Sequence, residues 1–182
     1  IGPRPQESNT CQAPCFIFNE VAGRTNDIVI DPVSPTIAYL ASDGGGVWKT
    51  TNCFRDVAQI YTDTRPTVVF TSVVADWFNS QVLYLATSEG DILKTENAGM
   101  SWRAAHRVEG TRIHMLTMDP RDSRLLYAAT AGSGLLKSVD GGTSWTAIKD
   151  QLTDFDRARS AYIVSLDPKN ADVSTDLGVS YY

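Results

Sequence analysis

Acidic side chains set among glycines are the residues whose type and spacing could do chemistry in this chain. Asp43 lies in Ser42-Asp43-Gly44-Gly45-Gly46, Glu89 and Asp91 flank Gly90, and Ser133 sits in Ala131-Gly132-Ser133-Gly134. Carboxylates on such turns can bind a partner. They can also act as acid and base, provided two of them are held where their pKa values are driven apart. Arg24, Arg65 and Arg112 offer guanidinium forks for an anionic group, and His106 reads as a solvated loop residue at the same rim. Other chemistries have no support. There is no Gly-x-Ser-x-Gly nucleophile turn and no phosphate-cradling Walker loop. Cys11-x-x-x-Cys15 has neither a second pair nor a nearby histidine, so no zinc site is expected, and no other metal or cofactor is expected.

The elements that must position these residues are written three times. With the tyrosines in register the copies begin at Asp31, Asp76 and Asp119, and Tyr39, Tyr84 and Tyr127 stand 45 and 43 residues apart. In each copy the Asp lies eight residues before the Tyr and a Lys lies ten after it: Lys49, Lys94 and Lys137. A period of ~40 residues in segments rich in Val, Ile, Leu and Tyr means stacked repeats rather than one ordinary core. Each copy reads as four short strands. The first is apolar on both faces, as suits a strand packed on both sides (28–30, 68–74, 113–118 and again 162–164). An Asp-Pro turn or its equivalent follows, then the Tyr strand, a Gly-rich hairpin, a third strand ending in the Thr or Ser after the Lys, and an outer strand led by Trp102 or Trp145. Four strands per repeat predict an all-β fold, a β-propeller of four-stranded antiparallel blades.

About four blades are expected, with repeats at about 27–62, 68–106 and 113–148 and a partial one at 162–182. Since ~4–8 blades make a ring, the chain is expected to be part of a larger propeller, or to close one with another chain or further copies of itself. Residues 1–26 form an N-terminal segment whose apolar Cys15-Phe16-Ile17-Phe18 could add a closing strand to a blade.

The turn after the third strand is the specific feature. Ser138-x-Asp140-x-Gly142-x-Ser144-Trp145 matches Ser/Thr-x-Asp-x-Gly-x-Thr/Ser-Trp in full. Thr95-x-Asn97-x-Gly99-x-Ser101-Trp102 matches with Asn for Asp, and Thr50-x-Asn52-x-Phe54-x-Asp56-Val57 has decayed. Over about residues 24–168 the sequence resembles the Asp-box, or bacterial neuraminidase repeat, family, whose blades occur in sialidases, sortilin-type receptors, photosystem II assembly factors and xyloglucan hydrolases. Physics assigns the box to scaffold: its carboxylate or amide accepts turn N–H bonds, its Gly takes a conformation closed to other residues, and its Trp buries a ring against its own blade.

Propeller topology then sorts the loops. The Gly-rich hairpins and the blade-to-blade loops share the end bordering the central channel, and the Asp-Pro turns and boxes share the other. The hairpin end therefore collects Asp43, Glu89, Asp91 and Ser133, with Asp63, Arg65, His106, Arg107, Glu109, Arg112, Asp154, Asp156, Arg157 and Arg159 from the connections and Arg24 and Asn26 ahead of the first strand. The resemblance implies one sharp role. Xyloglucan-active members carry a catalytic Asp in an Asp-x-Gly-Gly hairpin of an early blade, and Asp43 stands in such a hairpin. Inversion needs a second carboxylate ~6.5–9.5 Å away, which in that family comes from a second propeller. The favoured role of Asp43 is therefore local, bonding the hairpin backbone. Sialidase chemistry would need an arginine triad and a Phe-Arg-Ile-Pro signature, and that signature is absent.

A net charge of −5 argues against nucleic acid as partner, and no apolar run reaches the ~18 residues of a membrane span. A disulfide from Cys11 or Cys15 to Cys53, with Cys15–Cys53 taken as the pair, would staple the N-terminal segment to the first repeat and fit an oxidising compartment. The chain opens at Ile1, so a removed targeting segment or a longer parent is expected. The reading is a non-catalytic, secreted or extracellular (or periplasmic) propeller that binds a protein or glycan at its rim, or serves as a structural or assembly module. The alternative is a fragment of a secreted glycoside hydrolase.

Overall fold

The computed structural model describes residues 24–61, 68–148, 163–165 and 178–180. The first sheet runs β1 (Arg24–Ile30), β2 (Ala38–Asp43), β3 (Gly46–Thr50), β4 (Ala58–Tyr61). The second runs β5 (Phe70–Ala75), β6 (Leu83–Thr87), β7 (Asp91–Thr95), β8 (Arg103–Arg107). The third runs β9 (Arg112–Asp119), β10 (Asp122–Ala131), β11 (Gly134–Ser138), β12 (Thr146–Ala147). In each, consecutive strands pair antiparallel. A further pair, β13 (Ile163–Ser165) and β14 (Gly178–Ser180), is also antiparallel. These are β-propeller blades in a partial ring, with no helix among the described residues. The Cys15–Phe18 closing strand lies outside the described residues.

Register explains the ten-residue spacing. It makes Tyr39 and Lys49, Tyr84 and Lys94, and Tyr127 and Lys137 cross-strand partners. Each ammonium then lies over its ring, 5.3, 5.3 and 5.6 Å from the centroid, a cation–π contact repeated in every blade. Each innermost strand also slips register against its partner near the hairpin end, at Thr25/Asp27, Phe70/Ser72 and opposite Ala129/Thr130, and the third slips a second time at Asp122/Leu126. A β-bulge at the same place in all three blades re-aims the end of each strand.

The core lies between blades. Tyr39, Val47, Phe70, Val73 and Leu83 fill the space between the first two sheets, and Val74, Tyr84, Ile113, Leu116 and Leu126 the space between the second and third. Of the three innermost strands β1, β5 and β9, it is β5, packed between the other two, that is buried nearly throughout. In β1, Ile28 and Ile30 remain 44% and 56% exposed, because among the described residues β1 meets a neighbouring blade only at β5.

Polar bonds stitch the blades together. The Leu116 N–H donates to Ser72 Oγ (3.2 Å), and Ser72 Oγ donates to Asp27 Oδ2 (2.7 Å), so one chain of bonds crosses all three innermost strands. At the opposite end Ser80 donates to Asp31 and Ser123 to Asp76, at 2.9 and 2.7 Å.

The box turns obey their hydrogen-bond logic even where the motif has decayed. Asp140 Oδ1 accepts from the Thr143 and Ser144 N–H groups at 3.0 and 2.8 Å, and Oδ2 accepts from Ser144 Oγ at 2.6 Å. Ser138 Oγ accepts the Gly142 N–H at 2.9 Å. Asn97 Oδ1 accepts the Ser101 N–H at 2.8 Å and Thr95 Oγ1 the Gly99 N–H at 3.1 Å. In the first copy Asn52 accepts the Asp56 N–H at 2.9 Å and Thr50 the Phe54 N–H at 3.0 Å. The net survives although Cys53 and Phe54 must adopt φ of 58° and 63°. The Trp rings serve the preceding blade as well as their own. Trp102 lies 5.8 Å from Tyr61, and Trp145, whose indole N–H donates to the Gly142 carbonyl at 3.1 Å, lies 6.3 Å from His106.

The third box carries a pH signature. The Ser144 hydroxyl and N–H hold the Asp140 carboxyl down at a pKa of about 2, below the ~3.9 of an unfolded aspartate. Its contribution to stability is therefore complete above pH ~4 and is lost as pH falls from there toward 2. Asp140→Asn, which copies the second box, should flatten the acid limb of a melting-temperature profile between those pH values. An acid limb as steep in the variant as in the wild type would refute this.

Candidate functional site at the hairpin end

The bulge in β1 decides what faces Asp43. Counting back from Ile30 opposite Ala38 without a slip would set Thr25 opposite Asp43; the slip sets Arg24 there instead. Arg24 Nη2 lies 3.8 Å from Asp43 Oδ2, and both side chains face solvent. Asp43 also bridges to Val69 at the entry of the next blade, and Asn26 Nδ2 donates to the Phe70 carbonyl at 2.9 Å. The hairpin is held from beneath. The Gly45 carbonyl accepts from Trp48 Nε1 and from Gln59 Nε2, each at 2.7 Å. Trp48 and Gln59 escaped the sequence reading, since nothing in the motif announces a shared acceptor on Gly45.

The second blade repeats the device. A slip between Ile92 and Leu93 puts Arg107, rather than His106, opposite Asp91. Arg107 Nη1 reaches Asp91 Oδ1 at 2.6 Å, and Arg107 Nε reaches Glu109 Oε1 at 3.3 Å. The Asp91 carboxylate is largely shielded, with its side chain 14% exposed, whereas Arg107 and Glu109 are open. Thr87 Oγ1 steadies the loop by accepting the N–H groups of Glu89 (3.3 Å) and Asp91 (3.0 Å).

The remaining expected residues scatter. Arg112 is exposed at the start of β9, and Ser133 is exposed at the tip of the β10–β11 hairpin. His106 lies within β8, opposite Ile92, rather than in a connection. His114 lies in β9, where burial and then the Arg112 charge lower its pKa, leaving it neutral at pH 7. Cys53 is exposed on the first box turn, at the end away from Asp43. Cys11, Cys15, Asp63, Arg65, Asp154, Asp156, Arg157 and Arg159 lie outside the described residues. Among the described residues no group of three His, Cys, Asp or Glu side chains is placed to hold a metal ion, and no helix is long and apolar enough to cross a membrane. The arrangement thus offers two arginine–carboxylate clusters on successive hairpins. Each can present hydrogen-bond donors and acceptors to a ligand lying across the rim.

No protein-family model and no curated protein sequence matches the chain. Solved structures do, as folds. The chain is similar to a GH74 xyloglucanase from Xanthomonas campestris (TM-score 0.67, 19% identity, 87% of this chain and 28% of that one). It is similar to an ancestral GH74 enzyme (TM-score 0.65, 23% identity, 82% and 21%). It is also similar to YCF48 in a structure bound to a D1 peptide (TM-score 0.61, 13% identity, 81% and 48%). The chain spans between a fifth and a half of these proteins, and at such identities the likeness shows the propeller fold alone.

Proposed function

We propose that this chain is a segment of an extracellular (secreted or periplasmic) Asp-box propeller that binds a protein or glycan partner on its hairpin end and does no catalysis there. The pairing of Asp43 and Asp91 with arginines on the neighbouring strands carries this reading. Acid–base hydrolysis needs two carboxyls facing one substrate bond, whereas Asp43 and Asp91 each face an arginine. The Arg24–Asp43 pair is exposed on both sides, and such pairs are worth only ~0–1 kcal/mol to folding, so it is free to exchange partners with a ligand. The peptide-bound YCF48 supports a protein partner. The Ser42-Asp43-Gly44-Gly45-Gly46 hairpin, with the GH74 folds, supports a second reading, a piece of a glycoside hydrolase whose other carboxylate comes from elsewhere.

Glycan and peptide arrays probed with the wild type, Asp43→Ala and Arg107→Ala decide between them, beside a xyloglucan hydrolysis assay. The variants should weaken array binding about tenfold or more, while the exposed Asp43 change shifts stability by no more than about 0.5 kcal/mol. Wild-type turnover of xyloglucan that disappears in Asp43→Ala would overturn the binding reading in favour of the hydrolase.

A further inference from the structure

The repeat supplies its own control for the opposite end of the blades. The turn after each innermost strand shares one hydrogen bond, with the N–H two residues on donating to the aspartate Oδ1: Val33 to Asp31 at 2.9 Å, Phe78 to Asp76 at 2.8 Å, Arg121 to Asp119 at 2.8 Å. Two copies fill it with Pro32-Val33 and Pro120-Arg121, and the second fills it with Trp77-Phe78. The turn therefore forms without aromatics, yet Trp77 and Phe78 stand 46% and 66% exposed. The box of the same blade repeats the anomaly. Met100, 87% exposed, occupies the place of Arg55 and Thr143. The two turns are joined, because the Ala98 N–H donates to the Gln81 carbonyl at 2.9 Å. Three substitutions toward large apolar side chains thus converge on one end of one blade, where folding asks for none of them.

We propose that this end of the second blade, centred on Trp77, Phe78 and Met100, docks a short, uncharged, apolar segment of another polypeptide. Trp, Phe and Met are enriched at protein–protein contacts, and aromatic anchors dominate their energetics. The surrounding charges are satisfied internally. Glu96 pairs with Lys94 (3.0 Å) and Arg103 (3.4 Å), Asp119 with Arg121 (3.2 Å), and Asp122 with Arg124 (2.8 Å). Cations and anions are interleaved around the patch, so no single charge sign is complementary to it and the ligand that fits is neutral. A recess of about 200 Å³ beside Met100, lined by Lys94, Glu96, Asn97, Ser101, Trp102 and Arg103, gives room for a side chain. At ~200 Å² for a large side chain, the exposed fractions of the three residues offer about 400 Å². That is half of the ~800 Å² each partner gives to a standard interface, which suits a short segment better than a second copy of the chain. Lys49 Nζ bonded to the Ala98 carbonyl (3.3 Å) ties the platform to the first blade, and Tyr84 Oη bonded to Gly141 (2.9 Å) ties it to the third. A segment would meet a preorganised surface.

The test selects a phage-displayed library of random short peptides on the wild-type chain. Selected peptides are then measured on Trp77→Pro/Phe78→Arg, which copies the third blade's turn, and separately on Met100→Thr, which copies its box. Apolar, uncharged peptides that lose at least about tenfold in affinity on either variant, with melting temperature unchanged and binding to Asp43→Ala retained, support the site. Enrichment of charged peptides, no enrichment, or affinity kept within twofold on both variants overturns it. So does self-association of the wild type that either variant abolishes, since that assigns the patch to a second copy. Because Asp43 lies at the other end of the blades, failure here leaves the rim proposal standing, and the reverse holds.

Discussion

Replacing Tyr84 with alanine should destabilise the chain by about 3–5 kcal/mol, the range for deleting a buried aromatic. The ring is 2% exposed in the core between the second and third blades. It lies beneath the Lys94 ammonium, and its hydroxyl donates to the Gly141 carbonyl of the next blade at 2.9 Å. A Cβ added at Gly142 would come within 3.1 Å of this ring, so the third box is moulded around it. The alanine would therefore lose apolar burial, the cation–π contact and an inter-blade bond together. Phenylalanine separates these contributions. Tyr84→Phe should cost about 1 kcal/mol, a typical net hydrogen bond. Tyr39 is the internal comparison. Its hydroxyl is buried without a hydrogen-bond partner among the described residues, and burial, with the Asp31 charge, pushes its pKa up to about 12. Tyr39→Phe should accordingly be neutral or mildly stabilising. Urea unfolding of the four proteins, wild type among them, checks the order. Equal losses for the two Tyr→Phe changes would show that the hydroxyl on Gly141 holds nothing.

Much of this was legible in the sequence because the repeat averages out local ambiguity. Any one of the apolar runs 28–30, 68–74 or 113–118 could be a strand or part of a buried helix. Three of them, each followed at fixed spacing by Asp, Tyr, a Gly-rich turn and Lys, admit one antiparallel reading, and the all-β blades are found. What the sequence hid is register. The slip near Asn26 lies in an innermost strand and the one between Ile92 and Leu93 faces an outer strand, and no residue type at either place announces it. They decide that Arg24 rather than Thr25 faces Asp43, and Arg107 rather than His106 faces Asp91. An unbulged count would have proposed an Asp–His pair and with it proton-transfer chemistry. The first box shows the opposite failure. Phe54 in place of Gly suggests a lost motif, but the turn persists because Phe54 is buried at 6% against Ala38, Leu40 and Trp48, which offsets its left-handed backbone.

The two ends of the blades differ in how they use their turns. The box end is cross-linked by carboxylates and hydroxyls that accept backbone N–H groups, so its polar groups are consumed by the fold. On the hairpin end Asp43 and Asp91 meet arginine side chains, and the exposed Arg24–Asp43 pair is one that a ligand can replace at little cost to stability. Substitutions on the hairpin rim and in the boxes should therefore separate binding from folding. The exception is a glycine that serves both.

Gly90 is that glycine, and Gly90→Ala should cost about 3–4 kcal/mol and disable the rim of the second blade together. Its φ of +90° is strained for any residue with a Cβ, and an added methyl would collide with the Val108 carbonyl and lie 2.7 Å from the Thr111 carbonyl. Both obstacles are backbone of the connection into the third blade, so neither can rotate away. That connection is itself held by the Val108 N–H on the Gly90 carbonyl, 2.9 Å. Strain of this kind combined with steric overlap belongs to the large end of single-substitution effects. Gly44, in the first blade's hairpin, isolates the backbone contribution. Its φ is +71° and nothing lies within 4 Å of an added Cβ, so Gly44→Ala should cost only the ~1–2 kcal/mol of a left-handed alanine. Because Gly90 stands between Glu89 and Asp91, displacement of its hairpin must also part Asp91 from Arg107, a contact of 2.6 Å. Denaturant melts beside array binding for the two variants give a clear order. If Gly90→Ala melts with Gly44→Ala and keeps full rim binding, the hairpin and the blade connection are not the single rigid unit described here.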